Sequence, residues 1–218
     1  METVTRSSRQ DRRKSRTAGA ILDAAEALFL GGGYHPTTIE QLADQADVSV
    51  GSVYGHYGAK EGVYAALVDR ALELDKRYCD QGWESGSTAL ERLVGLSESY
   101  LRFARDHPGH FRVFRFPPVD APSGGQVTAA RERVRSRIEA EVERMAGAIG
   151  QAAADGVLRP VDPGVTAVFL WGAWDGIIAN HVLPGNMELS EEKFESVLAV
   201  GREVLALGLL ANSDGGAT

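Results

Sequence analysis

Apolar residues recur three and four apart along most of the chain, a helical period that predicts an all-α protein of about nine helices. The first helix, from Thr17, sets Ile21, Leu22, Ala25, Leu28 and Phe29 on one face and ends in Gly31-Gly32-Gly33. Ile39, Leu42, Ala43 and Ala46 form a second, shorter stripe. Asp47, Val48 and Ser49 break it before Val53, Tyr54 and Tyr57 resume, which reads as two short helices joined by a tight turn. A long helix is expected from Lys60 to about Trp83, then a turn-rich break at Gly82 to Ser87 and a Thr88-x-x-Glu91 capping box. The helix after that box is apolar on two sides (Leu90, Leu93, Val94, Leu101 and Ala104; Leu96, Tyr100, Phe103 and His107), as expected between neighbours. Pro108 opens the aromatic segment HPGHFRVFRF, and FPPVDAPSGGQ follows as an irregular loop. Val134, Ile138, Val142, Met145 and Ile149 then mark a long amphipathic helix, whose Arg135/Glu139 and Arg137/Glu141 pairs read as a solvated face. Asp162-Pro163 starts a helix with two unlike apolar faces, Pro184-Gly185-Asn186 turns the chain, and Ser190 caps a last helix carrying more apolar surface than one neighbour covers.

The stretch from Thr38 to Tyr57 carries the candidate chemistry. A helix-turn-helix of this size places its second helix in a DNA major groove. Ser49 is a suitable N-cap for that helix, which is so short that only its first turn reaches base edges: Val50, Gly51 and Ser52 are the expected readers, Val50 through a thymine methyl and Ser52 through hydrogen bonding. Ahead of it, Thr37 begins a Thr-x-x-Glu box with Glu40, and Thr38 offers a second hydroxyl where helix N-terminal amides can hold a phosphate.

The same stretch continues as YGHYGAKEGVY and is preceded by ILDAAEALF and Gly33-Tyr-His-Pro-Thr-Thr38. In this order and spacing, over roughly Ser15 to Asp75, it resembles the N-terminal domain of the TetR family of transcriptional regulators. The resemblance implies that Tyr54, His56 and Lys60 form a phosphate clamp and that Tyr57, where the family usually has Phe, packs in the small domain's core. Asp47 stands where the family usually has Gly, and Asp tolerates the left-handed backbone better than most residues. Gly62 interrupts the start of the next helix, at about 1 kcal/mol relative to Ala. The resemblance also implies a homodimer through the last two helices. A two-turn reader on a single half-site would bind weakly, which points the same way.

A formal net charge of −7 argues against a DNA partner until its distribution is considered. Residues 1–16 hold six basic and two acidic side chains, a net of +4, so the remainder carries −11. The basic arm, residues 1–14, is expected to be flexible and free to contact phosphate or a minor groove. Cys79 is the one cysteine, which excludes an intramolecular disulfide and suits a reducing cytoplasm; no apolar run is long enough to span a membrane. Nucleophile-elbow, phosphate-loop and zinc-protease motifs are missing, and the spacings of His107, His110 and His181 are not those of metal ligands, so neither an enzyme nor a cofactor or metal is expected.

The expected organisation is therefore the arm, a helix-turn-helix domain over 15–75 with its motif at 38–57, and a ligand-binding and dimerisation domain over 76–213. Large side chains in surplus of one small core (Tyr100, Phe103, His107, Phe111, Phe114, Met145, Trp171 and Trp174) suggest a largely apolar effector cavity. The function expected is a cytoplasmic, ligand-released repressor acting on a palindromic operator. The alternatives are a TetR-like activator and a helical ligand- or partner-binding module without specific DNA readout.

Overall fold

The computed structural model describes residues 2–115, 123–183 and 187–211, with side chains from residue 9 onward. Most of the irregular loop after Phe114 and the turn at 184–186 fall outside the described residues. Among them the chain forms nine α-helices and no strand: α1 (Glu2–Gly32), α2 (Ile39–Gln45), α3 (Val50–Tyr57), α4 (Lys60–Glu84), α5 (Ala89–Asp106), α6 (Pro108–Arg115), α7 (Gly125–Ala154), α8 (Pro163–Val182) and α9 (Glu191–Leu209). None of these is long and apolar enough to cross a membrane.

Two compact units divide the chain. The first takes residues 1–73 together with 109–134, and the second takes 74–108 together with 135–218. The first is thus assembled from two separated stretches, where the sequence suggested one continuous domain ending near residue 75. Its core is Ile21, Ala25, Phe29, Leu42, Val53, Tyr64 and Leu67, each almost fully buried. Segment 109–115 belongs to this core through Phe111 and Phe114.

Residues 2–14, expected as a flexible arm, are the first turns of α1. The physical reason is composition: no Gly or Pro occurs before Gly19, so nothing stops a helix anchored by Ile21 and Ala25 from growing outward. Gly62, read from sequence as a weak point, is required. A Cβ there would lie 1.9 Å from the Tyr57 carbonyl oxygen and 2.8 Å from Gln126 Oε1, so only glycine lets α4 start directly beneath the end of α3.

In the second unit, α4 and α5 cross at Gly82 and Gly95, each of whose missing Cβ would meet the other's carbonyl oxygen at 2.2 Å. The capping box expected at Thr88 is present, and Glu91 accepts from the Ser87 hydroxyl and from the Ser87 and Thr88 amides, which holds its carboxyl down at about 2. One sequence reading is overturned. Glu141 is not on a solvated face: it is 1% exposed and ion-paired with Arg137 and Arg144, while Arg137 also reaches Asp75 at 3.4 Å. Arg135 and Glu139 are the pair that faces solvent. Burial, partly offset by Arg137 and reinforced by Glu141, raises the Asp75 carboxyl to about 6. Cys79, beside Asp75, is fully buried and its thiol is pushed up, chiefly by burial.

Candidate functional site

The turn between α2 and α3 is built by three hydrogen bonds. Ala46 N–H donates to Leu42 O, Asp47 N–H to Asp44 O at 3.2 Å and Val48 N–H to Ala43 O at 3.0 Å. The last two make a Schellman closure, which needs a left-handed residue after the helix. Asp47 takes that place with φ 51°, the one non-glycine positive φ among the described residues. Ala43, 1% exposed, is small enough for α3 to pass close by.

Ser49 then caps α3, its Oγ accepting from Ser52 N–H at 3.1 Å. The Ser49 and Ser52 hydroxyls also share a hydrogen bond of 2.9 Å, which leaves the pair one outward O–H and free lone pairs. Around this first turn Val50 and Ser52 are half-buried and Gly51 is exposed. Tyr54 is 50% exposed, an unusual place for a large ring on so short a helix, and His56 is exposed beside it. Tyr57 is half-buried and its hydroxyl donates to Ala18 O at 2.9 Å, which gives the extra oxygen a partner inside the domain.

Two of the expected DNA contacts need correction. The capping box at the start of α2 is Thr38 with Gln41, not Thr37 with Glu40: Thr38 Oγ1 accepts from Gln41 N–H, and Gln41 Oε1 accepts from Thr38 N–H at 2.8 Å. Thr37 is 4% exposed and its hydroxyl donates back to Gly33 O at 2.8 Å, so the side chain is spent on the loop. Lys60 likewise points inward. Its ammonium donates to the carbonyls of Tyr34 (3.0 Å), His35 (3.3 Å) and Thr37 (2.9 Å) and sits 4.3 Å over the Tyr34 ring. Three donors meeting three carbonyls leave nothing for a phosphate. Beneath it, Tyr34 packs on Phe29 and Tyr64, and burial together with Glu61 pushes its hydroxyl up to about 12. Lys60 therefore organises the Tyr34–Thr37 loop that delivers Thr38 to its capping position. On α1, Arg9, Arg12, Arg13, Lys14 and Arg16 are exposed; Arg133 of the same unit is exposed too but ion-paired with Asp69.

The expected effector residues do not gather around one cavity. Phe111 and Phe114 are core residues of the first unit. In the second unit, Phe103 and His107 pack with Tyr78. Tyr100, Met145, Trp171 and Trp174 do come together, but the gap between them is about 10 Å³, at most one water. Tyr100 donates its hydroxyl to the buried Asp175 at 2.7 Å. A larger space lies elsewhere, in a cleft of about 320 Å³ between α5, α8 and α9, of whose lining Trp174 alone was anticipated. Leu158 and Leu210, an isolated bridge tied by Arg159 N–H to Leu209 O and Ala211 N–H to Val157 O, line one part of it. The signal that could have located it was the row Arg202, Leu205, Ala206 and Leu209, a second apolar face on α9.

Helices α8 and α9 also present an apolar surface that none of the described residues covers. On α8, Val165, Val168 and Phe169 are each more than 60% exposed, in line with the exposed Gly172 and Gly176; on α9, Val200, Val204 and Leu207 are exposed.

Residues 21–67 match the model of the tetR family of bacterial regulatory proteins, and residues 93–200 match a tetracyclin repressor-like C-terminal domain. Over 131 residues the chain is 27% identical to the HTH-type transcriptional activator FasR of Mycolicibacterium smegmatis, covering 59% of this chain and 60% of that one. It is 26% identical over 186 residues to the nucleoid occlusion factor SlmA of Vibrio cholerae, covering 83% of this chain and 91% of that one. AibR, solved in complex with isovaleryl coenzyme A and operator DNA, shares the fold with a TM-score of 0.63 at 20% identity, over 84% of this chain and 95% of AibR. The first match covers the helix-turn-helix, and the second covers most of the helices that line the cleft. The chain belongs to the TetR family, bacterial DNA-binding transcriptional regulators.

Proposed function

We propose that this regulator is a ligand-released repressor that binds a palindromic operator as a homodimer. The observation that carries the reading is α3: a two-turn helix, capped at Ser49 and set by a left-handed Asp47, with Gly51, Tyr54 and His56 exposed and Val50 and Ser52 half-buried at its start. Its first turn enters the major groove, where Val50, Gly51 and Ser52 meet base edges. Tyr54 and His56, with the Thr38 hydroxyl and the amides at the start of α2, hold phosphates and set the register. The exposed Arg and Lys side chains of α1 add sequence-independent attraction that the net charge of the whole chain conceals.

Dimerisation follows from the uncovered face of α8 and α9. Large apolar side chains there flank Gly172 and Gly176, small enough for a second copy's helices to approach closely, and a four-helix contact would remove them from water. Two half-sites about 34–36 Å apart then share the work that one short helix cannot do alone. The effector arm of the reading rests on the cleft, and AibR's complex with both an acyl thioester and operator DNA is a precedent on the same fold.

The test is binding of the purified dimer to DNA flanking its own gene and to a random duplex at the same salt. Preference for the former by about 10³-fold or more, with a footprint of two-fold symmetry, is expected. Equal affinities would reduce the chain to a helical binding module. Transcription from the footprinted promoter should fall when the protein is added; a rise would make it an activator, as FasR is named.

A further inference from the structure

α9 has two apolar faces on opposite sides. Val200, Val204 and Leu207 face away from the chain, whereas Leu205 and Leu209, half a helical turn round, line the cleft with Trp174 and Leu101. The cleft is thus separate from the uncovered surface. At about 320 Å³ it is roughly twice a cavity that admits a benzene ring, which sets the guest at about ten to twelve carbons. Of its fifteen lining residues only Ser97, Glu98 and Arg202 carry polar side chains, and the Ser97 hydroxyl is already donated to Leu93 O at 2.9 Å. Arg202 and Glu98 are both exposed, and neither has an ion-pair partner among the described residues.

We propose that this cleft is a binding site for a medium-chain amphiphile whose single anionic head, a carboxylate, is taken by Arg202 while its hydrocarbon lies against Leu101, Leu205, Leu209 and Trp174. An unpaired guanidinium beside an apolar wall is a planar two-pronged donor with no internal acceptor to satisfy it, and a carboxylate matches it with two parallel hydrogen bonds. Glu98 sets the limit on charge. One acid and one base leave the mouth without net charge, so a head with a second negative charge is repelled, whereas a neutral head leaves Arg202 without the bond it can make. The proposal deepens the effector reading above and rests on it for its regulatory meaning, though not for the binding itself.

Decanoate, decanol and decylamine, equal in chain length, separate head from tail. Titrated into the full-length protein, followed by Trp fluorescence and calorimetry, decanoate should bind tighter than either of the others by about tenfold or more. Arg202→Gln should abolish that preference while leaving decanol binding within about twofold, and Glu98→Gln should keep or enhance it. Leu205→Trp, which fills the cleft, should remove binding of all three; a circular-dichroism melt shows whether that variant folds, and the Arg202 variant, altered at an exposed position, keeps the test open if it does not. Decanol bound as tightly as decanoate, or decylamine bound tightest, would overturn the assignment, as would a decanoate preference that survives Arg202→Gln. These titrations use no DNA. Loss of operator preference would therefore sink the repressor reading alone, and loss of decanoate selectivity would sink the cleft assignment alone.

Discussion

Lys60 is the position where the structure changes the expected experiment. Family resemblance makes its ammonium a phosphate ligand; geometry makes it the clamp of the Tyr34–Thr37 loop. The two roles separate cleanly in Lys60→Met, which keeps the apolar stem and removes the charge. A hydrogen bond from an ionised group contributes about 1.5–3 kcal/mol when buried. Here three share one ammonium at a half-buried site, so about 2–4 kcal/mol for the set is a reasonable scale. For a chain of this size that is a fall in Tm of roughly 5–12 °C. Operator affinity should drop as well, because the loop places Thr38 and hence the start of α2. The decisive quantity is the salt dependence. A lost phosphate contact lowers the slope of log K against log salt by about 0.9 per half-site, so by about 2 for a dimer, while a lost loop clamp leaves the slope where it was. Binding isotherms at four or five salt concentrations, beside a thermal melt, decide it. A slope reduced by about 2 with an unchanged melt would refute the argument and restore Lys60 to the backbone of the operator.

Three further outcomes are expected. Asp75 has its carboxyl raised from the ordinary 3.8 to about 6, so the folded state holds a proton that the unfolded chain has released; between about pH 4 and 6 this contribution to stability declines as pH rises, by about 3 kcal/mol in all, and Asp75→Asn should lose that decline in denaturant titrations, whereas parallel pH profiles would contradict it. Gly62→Ala, favourable by about 1 kcal/mol on helix propensity, should instead destabilise by about 1–3 kcal/mol because its Cβ meets the Tyr57 carbonyl, and a raised Tm would show that α4 can shift at no cost. Phe169→Glu with Val204→Glu, at side chains already exposed in the isolated chain, should leave each subunit folded but monomeric in sedimentation and deprive it of operator binding; an intact dimer would move the interface elsewhere.

What sequence made legible follows a physical rule: local signals carried through, and signals that depend on a distant partner did not. Ser49, Thr88, Asp162 and Ser190 all cap the helices assigned to them, because a cap is decided by a hydroxyl or carboxylate and an amide three residues on. The left-handed Asp47 was legible for the same reason. The box at α2 slipped by one residue, since Thr37 and Thr38 both have an acidic or amide partner three positions later, Glu40 and Gln41, and the choice is made by Thr37's burial against Gly33 and Leu28. Large aromatic residues were a poor guide to empty space. A ring that packs well fills its surroundings, as Phe103 and Phe111 do at 0% exposure, so the cleft lies instead among leucines, with Trp174 the one ring of the expected set in its lining.

Charge shows the same limit most sharply. Arg135/Glu139 and Arg137/Glu141 have the same spacing two residues apart on one helix, and on sequence both read as a solvated face. They differ by 200° of helix rotation, enough to put one pair in water and the other against Asp75. Burying Glu141 and Asp75 together is tolerable because Arg137 and Arg144 reach them and because Asp75 can stay partly protonated, which is the response that burial of two like charges demands. A period of 3.6 tells which residues share a face; whether that face meets water is decided by helices whose sequence lies sixty residues away, and here by Asp75 and Asp80 of α4.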